Sequence, residues 1–371
     1  MVFIDKSNIR ELKKFFSHNK NKKVFLITGK NSFLKSGAKK IIFKLINKED
    51  IFLYFKSTAN PEIFELTKII HELKKFKPDI ILAIGGGSVI DYAKLSNVLY
   101  DQKDIKKSII KNNYKINNKF TKLIVIPTTA GSGAEETSFS TIYLGSIKFS
   151  VQSKLMKPDL VFLIPELILS CVKKIKASSG FDAISQAIES LLSRASDKKS
   201  VIYATESLKY TLKNYIEYLK NPSTKNSYYM SLGANFAGKA INISKTNGPH
   251  ALSYPFTANF GVHHGHAVSL TLNEFLKFNY FNMNKSKCDF SLKNRYSLIF
   301  KATKTDSIKE LDQYLLHLKK KASLEQNFSK LGVNIKDDFS RILSEINLQR
   351  LSNNPIKLDR VALKKILLKE I

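Results

Sequence analysis

The chain has 371 residues, 43% of them aliphatic or aromatic and 25% charged, which is enough apolar side chain for two well-cored domains and argues against a disordered chain. Its 61 lysines and arginines against 31 aspartates and glutamates give a formal net charge of +30. The excess is lysine spread along the whole length, with no arginine-rich tail, and reads as a solvated coat rather than a nucleic-acid interface. Cys171 and Cys288 stand far apart, which excludes a thiolate metal cluster and gives no reason to expect a disulfide framework. The apolar runs are too short to span a bilayer and the N-terminus lacks a signal-peptide pattern, so a cytoplasmic protein with no membrane or nucleic-acid partner is expected.

Residues 23–28 (KVFLIT) form a short apolar run that predicts a strand, followed by a turn and an amphipathic helix over AKKIIFKLIN. A second cycle places a strand on IFLYF and a helix after it, in which Ile63, Leu66, Ile69, Ile70 and Leu73 keep helical spacing. Alternating strands and helices predict a largely parallel sheet covered on both faces.

The segment IILAIGGGSVIDYAK then runs from a strand through Gly85, Gly86 and Gly87 into a helix. Glycines admit a phosphate close to the backbone N–H groups, and the helix start adds partial positive charge. The same turn also suits a plain tight connection. After a further strand at Leu123–Ile126, the loop of Thr128, Thr129, Gly131, Ser132 and Gly133 offers hydroxyls and free N–H groups to a second phosphate or a ribose, or forms a hairpin-like turn.

Past Pro165 the sequence turns helical. Residues 181–195 are predicted as a helix on which Asp182 and Gln186, four apart, share a face, with Glu189 read as a solvated or structural carboxylate. Four of the seven histidines, His250, His263, His264 and His266, fall within seventeen residues beside Gly248, Gly261 and Gly265. Imidazole is the commonest side-chain metal ligand, and Asp182 is the best remote donor to complete such a site. The domain boundary is expected near residues 165–170, giving an α/β domain over 1–167 and an all-helical domain over 168–371.

In chain order, GGGSVIDYAK, IPTTAGSGAEET, GFDAISQAIES, GPHALSYP and VHHGHA resemble the signatures of the iron-containing, or group III, alcohol dehydrogenase family. The likeness runs from about residue 20 to NNP near residue 354. It implies an N-terminal dinucleotide-binding domain and a C-terminal helical domain with the active site in the cleft between them, and a homodimer or larger homo-oligomer.

The implied metal ligands are Asp182, His250 and His264, with Gln186 where the family carries a fourth, histidine, ligand; the ion would be Fe2+ or Zn2+. The implied cofactor is NADPH or NADH, with Gly86, Gly87, Ser88 and Asp91 at the pyrophosphate and Asn60, Thr128, Thr129, Ser132 and Lys148 lining the rest. Gly29 followed by Lys30, where NAD-specific relatives have an aspartate, favours NADPH or dual use.

Tyr254 replaces a second active-site histidine, so Tyr254 and His266 are the expected proton carriers. Within the family the motifs look closest to the phosphonoacetaldehyde reductase, or 2-hydroxyethylphosphonate dehydrogenase, branch. This implies reduction of a small anionic aldehyde in phosphonate biosynthesis, with Lys245, Arg194 and His263 as candidate anion contacts; an uncharged short-chain aldehyde such as lactaldehyde or butanal is the alternative.

Overall fold

The computed structural model describes residues 2–3, 8–145 and 147–371. The chain divides into two compact units, one of Met1–Val172 with Ser223–Leu232, the other of Lys173–Pro222 with Gly233–Ile371.

The first unit is built on a parallel sheet of β1 (Val2–Phe3), β2 (Val24–Gly29), β3 (Ile51–Lys56), β4 (Ile80–Gly85), β5 (Lys122–Pro127) and β8 (Leu160–Phe162), in the order β1-β8-β5-β4-β2-β3. Side chains of successive strand residues point to opposite faces. Phe25, Ile27, Ile81, Ala83, Leu123 and Val125 therefore pack under the helices Ile63–Phe76 and Gly87–Val98. Their alternates Val24, Leu26, Ile80, Leu82, Ile124 and Ile126 pack on the other face with Leu12, Phe16, Phe33 and Leu167. Two buried faces explain why these strands read as continuous apolar runs.

One element is shorter than the sequence predicts. AKKIIFKLIN holds only the short helix Ala38–Ile42, which follows Gly37 in the left-handed region (φ 89°) and gives way to turns. The segment after the hydroxyl-rich loop is an antiparallel hairpin of β6 (Phe139–Leu144) and β7 (Ile147–Gln152).

The described residues of the second unit are helical, and four of its helices matter most here: Lys173–Leu192, Lys198–Lys220, Gly248–Phe260 and His264–Phe281. The first is buried almost throughout from Lys176 to Leu192 and forms the axis on which Lys198–Lys220 and His264–Phe281 pack, with Gly248–Phe260 packed in turn on His264–Phe281. Gly265 lies against it so closely that a Cβ there would fall 2.0 Å from the Ser178 carbonyl oxygen and 2.7 Å from Asp182 Cβ. Among the described residues, no helix is long and apolar enough to cross a membrane.

Candidate functional site

Three side chains of the second unit converge. Asp182 projects from the middle of the Lys173–Leu192 helix, His250 from the first turn of Gly248–Phe260, and His264 opens His264–Phe281. The chain stops the second of these helices at Gly261 (φ 64°), and the bend lets the next helix start beside the first. One ligand atom from each residue lies within 4.8 Å of the other two. Asp182 and His250 are buried and His264 is half-buried.

His250 Nε2 sits 3.2 Å from Asp182 Oδ1, close to the separation of about 3.3 Å that two ligands keep around a tetrahedral ion with bonds of about 2.0–2.1 Å. The Nδ1 atom of the same ring meets the Glu189 carboxylate, whose other oxygen accepts the Asn247 backbone N–H at 2.7 Å. Burial would lower the His250 pKa, but Glu189 and Asp182 together raise it to about 9. Two buried carboxylates on one imidazole make a pocket of negative charge that calls for a cation. The oxygen and nitrogen donors suit a divalent transition metal.

Gln186 is on the same helical face as Asp182, its Nε2 donating to Asp182 Oδ2 at 3.0 Å. Rotating that amide would present its oxygen instead. Tyr254, one helical turn after His250, is buried and stacks on His264 with centroids 5.9 Å apart and planes 22° apart. Burial raises the phenol's pKa, while Arg350, which hydrogen-bonds to it, acts in the opposite direction.

The other expected site residues of this unit do not join the cluster. His264 and His266 are two apart on a helix, a rotation of about 200°, so they face opposite ways. His266 Nε2 instead lies 2.6 Å from the Glu325 carbonyl, and the ring lines an open cavity of about 520 Å³ with His263, Lys173, Lys174 and Ser178. His263 is exposed at the cap of its helix.

Arg194 follows the end of the axial helix, whose last ten residues put about 15 Å between Asp182 and Leu192. Its guanidinium reaches the Ser352 carbonyl at 3.5 Å. Lys245 sits in the left-handed region (φ 59°) with Nζ 3.3 Å from the Asn242 carbonyl, and its own carbonyl accepts from Ser193. Neither cation is placed for an anion at the cluster.

In the first unit, parallel strands bring the ends of β2, β3, β4 and β5 to one edge. This gathers Gly29, Asn60, Gly86, Gly87, Ser88, Thr128, Thr129 and Ser132. The chain order reverses between β2 and β4, the position where open α/β sheets take ligands. Gly86 caps the Gly87–Val98 helix, and a Cβ at Gly86 or Gly87 would approach Thr129 Oγ1 at 3.3 Å or Ser132 Oγ at 2.9 Å. The glycines therefore keep two loops close, with helix N–H groups facing outward for an anion.

Asp91 is placed differently from the sequence expectation. It accepts from Thr141 N at 3.2 Å and Thr141 Oγ1 at 2.9 Å, clamping β6 to the helix. Lys148 lies on β7 with its ammonium 5.7 Å from the Tyr143 ring centroid.

Sequence reasoning missed two positioning residues, Lys94 and Arg350, and read a third, Glu189, only as a solvated or structural carboxylate. Glu189 follows Asp182 by seven residues, two helical turns, and that spacing was the available signal. Lys94, fully buried and pushed down to about 8 by desolvation, donates to Ala134 O, Thr137 Oγ1 and Phe139 O at 3.1, 2.9 and 2.6 Å, pinning the loop after Thr128. Arg350 carried no local signal at all.

Comparison with known proteins bears on the family and the fold. A family model described as iron-containing alcohol dehydrogenase matches residues 1–165, and one described as the C-terminal part of the Fe-containing alcohol dehydrogenase family matches residues 176–371. The phosphonoacetaldehyde reductase of Streptomyces viridochromogenes is 28% identical over 57% of this chain, a match that spans 56% of that protein. The 4-hydroxybutyrate dehydrogenase of Clostridium kluyveri is 28% identical over 67% of this chain and 68% of its own. Among solved structures, the sulfoacetaldehyde reductase of Bifidobacterium kashiwanohense in complex with NAD+ superposes with a TM-score of 0.86 at 23% identity, covering 100% of this chain and 96% of that one.

Proposed function

This chain belongs to the iron-containing alcohol dehydrogenase family, and from that premise we propose that it is a metal-dependent, NAD(P)H-linked reductase of a short aldehyde that carries an acidic group, phosphonoacetaldehyde first among them. The observation that carries the reading is the convergence of Asp182, His250 and His264 on one point. Three relatives support the acidic substrate, since their names specify a phosphono, a sulfo and a carboxylic acid compound.

Asp182, His250 and His264 would hold Fe2+ or Zn2+, with Gln186 as the fourth neighbour. When bound, the cation supplies Lewis acidity to a carbonyl oxygen and the reduced nicotinamide supplies a hydride. The protein's own contributions are positional. Glu189 would accept a hydrogen bond from His250 Nδ1–H and so fix the tautomer whose unprotonated Nε2 faces Asp182. Tyr254 accepts from Arg350 through its phenol oxygen, which leaves its own O–H proton to be donated to a product alkoxide.

The glycine edge of the first unit, with Ser88, Thr128, Thr129 and Ser132, would cradle the dinucleotide phosphates. Lys30 beside Gly29 favours a 2′-phosphate. The test is oxidation of NADPH and NADH by metal-reconstituted protein with phosphonoacetaldehyde, propanal and lactaldehyde. Preference for the phosphonate is expected; equal turnover of all three removes the acidic substrate, and no turnover removes the reductase.

A further inference from the structure

The open cavity of about 520 Å³ that His266 lines lies wholly within the second unit, and none of Asp182, His250 and His264 borders it. Lys173, Lys174 and Ser178 line it from the Lys173–Leu192 helix, His263 and His266 from the start of His264–Phe281. Glu325 is the one acid in this lining among the described residues, and its charge is committed to its own loop. Its Oε1 accepts the Gln326 and Asn327 N–H groups at 2.9 Å each, and Oε2 is 3.7 Å from Lys330 Nζ. Neither Lys173 nor Lys174 is paired with a carboxylate among the described residues. A concave surface lined by one sign of charge concentrates the field and draws in the opposite ion.

Two buried side chains add directional groups to that charge. Ser178, 5% exposed, accepts the His266 N–H through Oγ at 3.0 Å, which leaves its own O–H proton to donate. His266, 7% exposed, donates Nε2–H to the Glu325 carbonyl at 2.6 Å, so in the neutral ring Nδ1 is an acceptor. An inorganic anion satisfies the ammonium and hydroxyl donors and offers nothing to the imidazole acceptor; an anion that also carries a hydroxyl satisfies both. Phe260, Val262, Leu324 and Leu331 supply apolar wall for the carbon atoms between the two groups. The volume is in the range of small-molecule pockets, about 300–1,000 Å³.

We propose that this cavity is a second ligand site, separate from the metal cluster, which binds a short alcohol carrying a phosphate or phosphonate group. Lys173 and Lys174 hold the acidic group, Ser178 donates to one of its oxygens, and His266 accepts from the alcohol. The site does not depend on the reductase reading, since its readout is binding and not turnover.

The experiment is calorimetric titration of full-length protein with sn-glycerol 3-phosphate, 2-hydroxyethylphosphonate and ethylphosphonate. Wild type is compared with the double variant Lys173→Met/Lys174→Met and with Lys198→Met/Lys199→Met. The second pair removes the same charge from the first turn of the next long helix, outside the cavity. All four lysines are exposed, so both variants keep the fold. The cavity pair is expected to weaken the hydroxylated anions by about 10-fold or more, the scale of one hydrogen bond to a charged group, and the control pair to leave them near wild type.

Ethylphosphonate, which lacks the hydroxyl, is expected to bind wild type about 3- to 10-fold more weakly than 2-hydroxyethylphosphonate. The tighter of the two hydroxylated probes identifies the acidic group as phosphate or phosphonate. Equal weakening by the two pairs would show only the general lysine coat and overturn the site, as would the absence of binding to wild type. Ethylphosphonate bound as tightly as its hydroxylated analogue would overturn the hydroxyl requirement.

Discussion

The Glu189 carboxylate lies against Nδ1 of His250, so that this imidazole is held between two acidic groups, with Asp182 Oδ1 3.2 Å from its other nitrogen. An outer carboxylate of this kind orients a ligating imidazole and raises its basicity. Glu189→Gln replaces one oxygen with an NH2 group that would oppose either His250 Nδ1–H or the Asn247 N–H. Zinc affinity is expected to drop roughly 10–100-fold, read by competition with a chromophoric chelator. Unaltered affinity would reduce Glu189 to a packing role.

The close approach at Gly265 sets the distance between His264 and Asp182. A Cβ there meets backbone, the Ser178 carbonyl at 2.0 Å, which cannot rotate away. Gly265→Ala is expected to destabilise the protein by about 1–3 kcal/mol in urea titration and to lose bound metal at the same time. Metal retained at full occupancy with normal stability would show that the helices can part without disturbing the cluster.

Gln186 occupies the face of the axial helix one turn after Asp182. Imidazole binds zinc or iron more strongly than an amide oxygen. Gln186→His is therefore expected to hold zinc more tightly and release it to chelator more slowly than wild type. No gain would place the fourth coordination position away from residue 186.

Lys319 gives the pH dependence of stability. Its ammonium is buried, donating to Ser269 O at 2.6 Å and Gln326 Oε1 at 3.1 Å, and desolvation, helped by Lys369, pushes its pKa down to about 7. In the unfolded chain a lysine titrates at about 10.4. Below about pH 7 both states are protonated and the full cost of burying the charge applies. Between about 7 and 10.4 the unfolded state binds the extra proton, so unfolding free energy rises with pH through that window. Relative to Lys319→Met, wild type should gain stability between pH 6.5 and 9.5 in urea midpoints; parallel curves would contradict the shift.

Gly29 ends β2 beside the exposed Lys30, at the point where the sheet order reverses. A carboxylate introduced there repels a 2′-phosphate and accepts from a 2′-hydroxyl. Gly29→Asp is expected to move the ratio of kcat/KM for NADPH over NADH toward NADH by about 10-fold or more, the effect of one charge pair worth about 1.4 kcal/mol. An unchanged ratio would remove the end of β2 from adenosine-ribose recognition.

Sequence by itself determined the strands β2 to β5, their parallel pairing and the glycine turn after β4, because strands buried on both faces leave apolar runs and sharp turns leave glycines. It also singled out Asp182, His250 and His264 as a group, since the motifs around them are long and ordered. Tertiary structure alone decided which of the neighbouring charges belong with that group. His266 is turned away by the helical rotation from His264 and Arg194 lies beyond the end of the axial helix, while in the first unit Asp91, expected at the pyrophosphate, bonds to Thr141.

Glu189 and Arg350 join the group for the converse reason, and Lys94 pins the hydroxyl-rich loop of the first unit in the same way. Each acts across a contact between elements separated in the chain, to His250, Phe139 and Tyr254 respectively. Local periodicity records which face of a helix is buried, and it carries no information about what another helix brings to that face. That is set only when packing fixes the helices side by side.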